Sequence, residues 1–145
     1  MKNILFVCTG NTCRSPMAEK IFNAICSNRK LPYTAKSAGI CTVTGLPISA
    51  NSFCVIKEMG VKDLSFASAS IDDVSLSEID YFGAMTDEHA DVLAQVYGID
   101  RNRIFVFNVA DPYGGSLQRY EQCGNEILEK VEEFLEFLGE ENDDN

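Results

Sequence analysis

The residues able to do chemistry concentrate in one stretch, Cys8-Thr9-Gly10-Asn11-Thr12-Cys13-Arg14-Ser15-Pro16. Pro16 disfavours helical geometry at Ser15 and suits a first helical position, so Ser15 is the expected N-cap of a following helix. The amides of Thr9 to Ser15 then converge on a helix N-terminus, which binds anions through N–H groups and the positive end of the dipole. Arg14 adds a planar, permanently charged fork that matches two oxygens of a phosphoryl group. Cys8 faces this ring as a nucleophile. Such surroundings lower a thiol's pKa to somewhere between about 3.5 and 7.5. A fall of roughly three pH units is roughly 4 kcal/mol in favour of thiolate, more than one hydrogen bond supplies. The loop amides, the dipole, Arg14 and the Ser15 hydroxyl are expected to supply it jointly.

Expelling a leaving group from phosphorus needs a proton donor. The sole histidine, His89, is expected on a helix surface or in packing, so a carboxyl is the natural donor. Asp111-Pro112-Tyr113-Gly114-Gly115-Ser116 offers one, on a loop stiffened by Pro112 and walled by Tyr113, with glycines that permit close approach. Rival motifs fail. There is no G-x-x-x-x-G-K-[ST] and no G-x-G-x-x-G. Cys8 and Cys13 lack zinc-ligand spacing, and neither a metal nor a cofactor is expected.

Elements must hold these groups together. Ile4 to Val7 is a continuous apolar run, as in a strand covered on both faces. Pro16 to about Asn28 repeats apolar residues at helical spacing through Met17, Ile21 and Ile25. Tyr33 to Ala38, Ile79 to Met85 and Arg103 to Phe107 are expected strands. Expected helices span Ser49 to Met59 before Gly60, then Thr86 to near Gly98. A last helix, Ser116 to Leu138, carries the seam Leu117, Tyr120, Ile127, Leu128, Val131, Phe134, Leu135 and Leu138. Strands alternating with helices imply βαβ units. The expected fold is α/β, a single-domain doubly wound four-stranded parallel sheet, order 2-1-3-4, with helices on both faces. Residues 1–139 form that domain and 140–145 an acidic frayed tail. Ligands bind such sheets beyond the strands' carboxyl ends. Cys8–Ser15, Gly39–Ile48, Thr86 and Asp111–Ser116 all fall there.

Composition bounds the partners. The chain has 145 residues and a formal charge of −10, which argues against nucleic acid or an acidic membrane. Any anion must be held by a local device. Six cysteines without a leader-like apolar run point to reduced thiols and a cytoplasmic setting, with Cys26, Cys41, Cys54 and Cys123 as small buried hydrophobes. Cys13, close to Cys8, is either a packed thiol or the partner of a reversible Cys8–Cys13 disulfide.

Taken together, the stretch from Val7 to Glu19, Ser37-Ala38-Gly39, Met85-Thr86 with His89, and Asp111-Pro112-Tyr113 resemble the low-molecular-weight protein tyrosine phosphatase family over nearly the whole chain. That resemblance implies Cys8 as nucleophile, Arg14 as phosphoryl clamp, Asn11 ordering the loop, Ser15 stabilising the thiolate and Asp111 as general acid. No metal or cofactor is implied. The substrate would be a phosphorylated protein, the product inorganic phosphate, and the enzyme a monomer or weak dimer. Tyrosine phosphatases of the eukaryotic type usually carry Ile or Leu at the place of Thr12 and a second aromatic at that of Gly114. Thr12 with Asp-Pro-aromatic-Gly-Gly-Ser is instead similar to the bacterial protein arginine phosphatase branch, whose aromatic is usually Phe. Thr12 and Tyr113 thus become specificity candidates. Phosphoarginine is the expected substrate and phosphotyrosine the alternative. A thiol-linked arsenate reductase would need further cysteines near the third strand, and residues 80–100 hold none. A phosphoanion-binding or oxidant-sensing module would gain nothing from Asp111.

Overall fold

The computed structural model describes residues 1–143, with side chains through Gly139. Four strands, β1 (Lys2–Cys8), β2 (Tyr33–Gly39), β3 (Tyr81–Ala84) and β4 (Ile104–Val106), form one parallel sheet in the order β2-β1-β3-β4. The register pairs Cys8 with Gly39, and Val7 with both Ala38 and Ala84. Central β1 alternates between two cores. Ile4, Phe6 and Cys8 face a cluster with Met17, Phe22, Ile56, Val131 and Phe134. Leu5 and Val7 face Ile71, Phe82, Ala90 and Leu93. Helices α1 (Arg14–Arg29), α2 (Ala50–Glu58) and α4 (Leu117–Asp143) therefore cover one face, and α3 (Asp87–Gln95) the other. Burial on both sides is why β1 needs an unbroken apolar run.

Phe6 stands at the centre of the first face, with Phe22, Phe107 and Phe134 at ring-centroid distances of 5.4, 5.5 and 5.7 Å. Gly83 makes room for it: a Cβ there would lie 2.5 Å from the Phe6 ring.

Some expectations need correction. Helix α1 begins at Arg14, and Cys13 rather than Ser15 precedes its first turn. Pro16 sits inside that turn, where an N–H has no intrahelical partner and its loss costs little. Helix α4 runs past Leu138 to Asp143, and the expected tail falls on residues whose side chains, and for 144–145 all atoms, lie outside those described. In the α4 seam Leu117 and Leu128 are exposed, while Cys123 is buried. Cys41 and Cys54 are exposed rather than buried, and all six cysteines are free thiols. No helix among the described residues is long and apolar enough to cross a membrane.

Candidate active site

Strand β1 ends at Cys8 and helix α1 starts at Arg14, so the intervening loop turns at the carboxyl edge of the sheet. Neighbouring segments stitch it down. The Ile40 and Cys41 amides donate to the carbonyls of Cys8 and Thr9, both at 3.0 Å, and the Ser49 amide donates to that of Thr12 at 2.9 Å. Gly39 lies so close that a Cβ would stand 2.7 Å from the Thr9 carbonyl oxygen and 3.1 Å from the Asn11 Cβ. Only glycine fits there.

Asn11 takes the left-handed backbone region, φ 54°, which Asn tolerates better than most residues. That turn aims its amide at the Cys8 sulfur, N to Sγ 3.3 Å, while the Ser15 Oγ lies 2.8 Å from the same sulfur. The side chain of Asn11 is fully buried. Its Nδ2 donates to Ser15 Oγ at 2.8 Å and to Ser37 Oγ at 2.9 Å, and its Oδ1 accepts from the Ala69 amide at 2.8 Å. Ser15 thus lies within the first turn and spends its hydroxyl on the sulfur instead of capping.

Burial is the largest influence on the Cys8 thiol and pushes its pKa above the ordinary thiol range. The Ser15 hydroxyl, the Ser15 and Asn11 amides and the Arg14 charge all oppose that rise. The expectation of a depressed value counted these donors but omitted desolvation.

Arg14 is buried, and its Nη1 donates to the Val109 carbonyl at 3.0 Å. Its Nη2 lies 3.7 Å from Asp111 Oδ2. The Asp111 side chain is 49% exposed, and its Oδ1 accepts from the Tyr113 amide at 3.0 Å. The sulfur, the guanidinium and the carboxyl thus share one edge of the sheet. A cavity of about 230 Å³ opens between them, lined by Cys8 to Arg14, Asp111 and Tyr113. Tyr113 stands 80% exposed at its rim.

His89 is buried and reaches the loop without lining the cavity. Its Nε2 lies 2.9 Å from Thr9 Oγ1 and its Nδ1 2.9 Å from Thr86 Oγ1. Burial first, then the Arg14 charge, lowers its pKa to about 4, so the ring is neutral at pH 7. It is a packing residue, and also the clamp that ties α3 to Thr9. Thr12 Oγ1 lies 3.8 Å from Cys13 Sγ, which also meets the Tyr120 hydroxyl at 3.4 Å and Ser49 Oγ at 3.6 Å. Burial and Cys13 push the Tyr120 hydroxyl up to about 12.

Sequence reasoning missed four supports: Ser37, the Ala69 amide, the Val109 carbonyl and Tyr120. Two of them are backbone groups, which leave no signal in residue type. Ser37, a hydroxyl within an otherwise apolar strand end, was the one visible clue.

Comparison with known proteins finds phosphatases similar to this chain over most of its length. The chain is 30% identical to a protein-arginine-phosphatase of Bacillus subtilis, covering 94% of this chain and 96% of that protein. It is 36% identical to the low-molecular-weight protein-tyrosine-phosphatase PtpB of Staphylococcus epidermidis, covering 90% and 95% respectively. The solved structure of a mutant of the arginine phosphatase YwlE with a phosphorylated active-site serine superposes with a TM-score of 0.86 at 29% identity, over 94% of this chain and 95% of that one. The model for low molecular weight phosphotyrosine protein phosphatases matches residues 3–144, and the chain accordingly belongs to that family.

Proposed function

We propose that the protein hydrolyses phosphorylated protein side chains through a phosphocysteine intermediate, with phosphoarginine as its preferred substrate. The carrying observation is the cavity in which the Cys8 sulfur, the Arg14 guanidinium and the Asp111 carboxyl converge. The reaction begins with loss of the Cys8 proton to water, which burial opposes and the Ser15 hydroxyl, the Asn11 amide and the Arg14 charge favour. The thiolate attacks phosphorus in line, the bond from phosphorus to the leaving nitrogen breaks, and Asp111 gives that nitrogen its proton. Asp111, now a carboxylate, takes a proton from water. The hydroxide so formed displaces sulfur from phosphorus, releasing inorganic phosphate and restoring the thiolate. Arg14 and the amides of Thr9 to Ser15 stabilise the equatorial oxygens, on which transition-state charge spreads. The similarly folded YwlE mutant, with its phosphorylated active-site serine, supports the covalent step.

Arginine preference rests on Thr12 and the loop Asp111-Pro112-Tyr113-Gly114-Gly115, within which Tyr113 itself is compatible with either substrate. A threonine hydroxyl at the cavity wall can accept from a polar phosphoguanidine, which an aliphatic side chain cannot, and Asp111 pairs with the cationic leaving group. The phosphotyrosine reading is favoured by the exposed Tyr113 ring, a surface on which a substrate ring could stack. The test compares kcat/KM on phosphoarginine and phosphotyrosine peptides for wild type and Thr12→Ile. We expect wild type to prefer phosphoarginine, and the substitution to cut that preference at least about tenfold, the worth of one hydrogen bond to a charged group. Strong wild-type preference for phosphotyrosine would overturn the arginine assignment. The setting we infer is the cytosol, with the enzyme a monomer or weak dimer that uses no metal or cofactor. Residues 1–139 are the functional domain in this reading.

A further inference from the structure

A chain of hydrogen bonds leads from the sulfur of Cys8 to a carboxyl outside the cavity. Ser37 Oγ lies 2.7 Å from Glu19 Oε1, and Glu19 Oε2 lies 3.4 Å from Lys20 Nζ. The direction of every hydrogen in the chain follows from its two ends. The Ala69 amide can only donate, so the Asn11 atom it meets is the carbonyl oxygen, and the Asn11 NH2 group faces the serines. That group donates to both Ser15 Oγ and Ser37 Oγ. An ionised Glu19 can only accept, so the Ser37 hydrogen goes to Glu19 and the Ser37 lone pair is left for Asn11. Ser15, already accepting from Asn11, keeps its one hydrogen for the sulfur. Each bond polarises the next in a low-dielectric interior.

We propose that Glu19 is a positioning residue for the nucleophile, holding Ser37 and Asn11 in the polarity that makes Ser15 a donor to Cys8. Glu19 and Lys20 have side chains only 14% and 8% exposed, a costly place for two charges unless both are held. The charged groups that face the carboxyl are Lys20 beside it on α1 and Asp63 from the segment after α2. Lys20 balances the Glu19 charge, so the pair sends a hydrogen-bond direction towards the sulfur rather than a net negative field. Nothing in the cavity touches Glu19, and its effect on the reaction runs wholly through Ser37, Asn11 and Ser15.

The inference rests on Cys8 being the attacking group, and its test reads the sulfur without any turnover. The pH dependence of Cys8 alkylation by iodoacetamide gives the thiol's ionisation midpoint in wild type, Glu19→Gln, Ser37→Ala and the double variant. Removing the Glu19 charge, which leaves Lys20 with Asp63 as its remaining carboxylate at 3.9 Å, acts through the field alone to lower the midpoint. Loss of the hydrogen-bond polarity acts the other way. We expect Glu19→Gln and Ser37→Ala each to raise it, slowing alkylation at a fixed pH below the midpoint by about threefold or more. The double variant should be no slower than Ser37→Ala alone, because both cut one chain. A midpoint that is unchanged or lowered in Glu19→Gln, or effects that simply add, would overturn the proposal. Should Glu19→Gln melt below the assay temperature, Ser37→Ala, which deletes one hydroxyl, decides alone: an unmoved midpoint refutes the chain. Loss of p-nitrophenyl phosphate turnover in Cys8→Ser tests the nucleophile separately.

Discussion

Replacing Arg14 with lysine separates charge from geometry at the centre of the site. The guanidinium has five donors: one holds the Val109 carbonyl at 3.0 Å, and Nη2 faces the cavity beside Asp111. A lysine keeps the charge but presents it as a single point, so it can serve the carbonyl or the phosphoryl oxygens and not both in one fixed plane. Losing one charge-assisted hydrogen bond costs about 1.5–3 kcal/mol, or roughly 10- to 150-fold in rate at 1.36 kcal/mol per factor of ten. Charge on the equatorial oxygens is greatest in the transition state, so the loss should fall mainly on kcat and only weakly on KM. Stability moves too. A lysine drawn to phosphate leaves a buried carbonyl unpaired, at about 1–3 kcal/mol. Steady-state turnover of p-nitrophenyl phosphate, run well below the melting transition of the variant, keeps the two effects apart. A kcat within about twofold of wild type would refute the assigned role of Arg14.

Three further outcomes can be measured. His89 has a folded-state pKa of about 4, so the unfolded chain takes up its proton first as pH falls. Its contribution is complete above the unfolded value near 6.5 and is lost as pH drops towards 4. Between pH 7 and 5, urea titrations should show wild type losing about 2 kcal/mol more than His89→Gln, and parallel pH profiles would contradict the buried neutral ring. Gly83→Ala pushes a methyl against the Phe6 ring, itself packed by three other phenylalanines, and should lower stability by about 1–3 kcal/mol. An unchanged melting temperature would mean that the aromatic cluster yields more than this packing allows. For Cys8 and Cys13 we propose that peroxide oxidises the Cys8 thiolate to sulfenic acid, and that the Cys13 sulfur displaces water to form a disulfide. Thiol reductant should then restore activity in wild type but far less in Cys13→Ser, and irreversible sulfonation with no 8–13 linkage would reject the scheme.

Much of this protein is written in short-range patterns. The apolar run at Ile4 to Val7 needs cover on two faces wherever it lies, and the alternation of strands and helices leaves few parallel arrangements. The amides of Thr9 to Ser15 are near neighbours in the chain, so Cys8 and Arg14 share their turn for local reasons. Long-range closure decided the rest. The start of α1 at Arg14 went against the local bias of Pro16, because the Ser15 hydroxyl is drawn to the sulfur. Asp111 meets Arg14 because β4 lies beside β3 at the same edge, and His89 reaches Thr9 because α3 starts there as well. The partners of Asn11 are the Ala69 amide and Ser37, residues remote in sequence. The exposure of Cys41, Cys54, Leu117 and Leu128 was likewise settled by what packs against them, which residue type does not reveal. Periodicity and loop chemistry act over a few residues, whereas burial and hydrogen-bond pairing belong to surfaces that exist only once the sheet has closed.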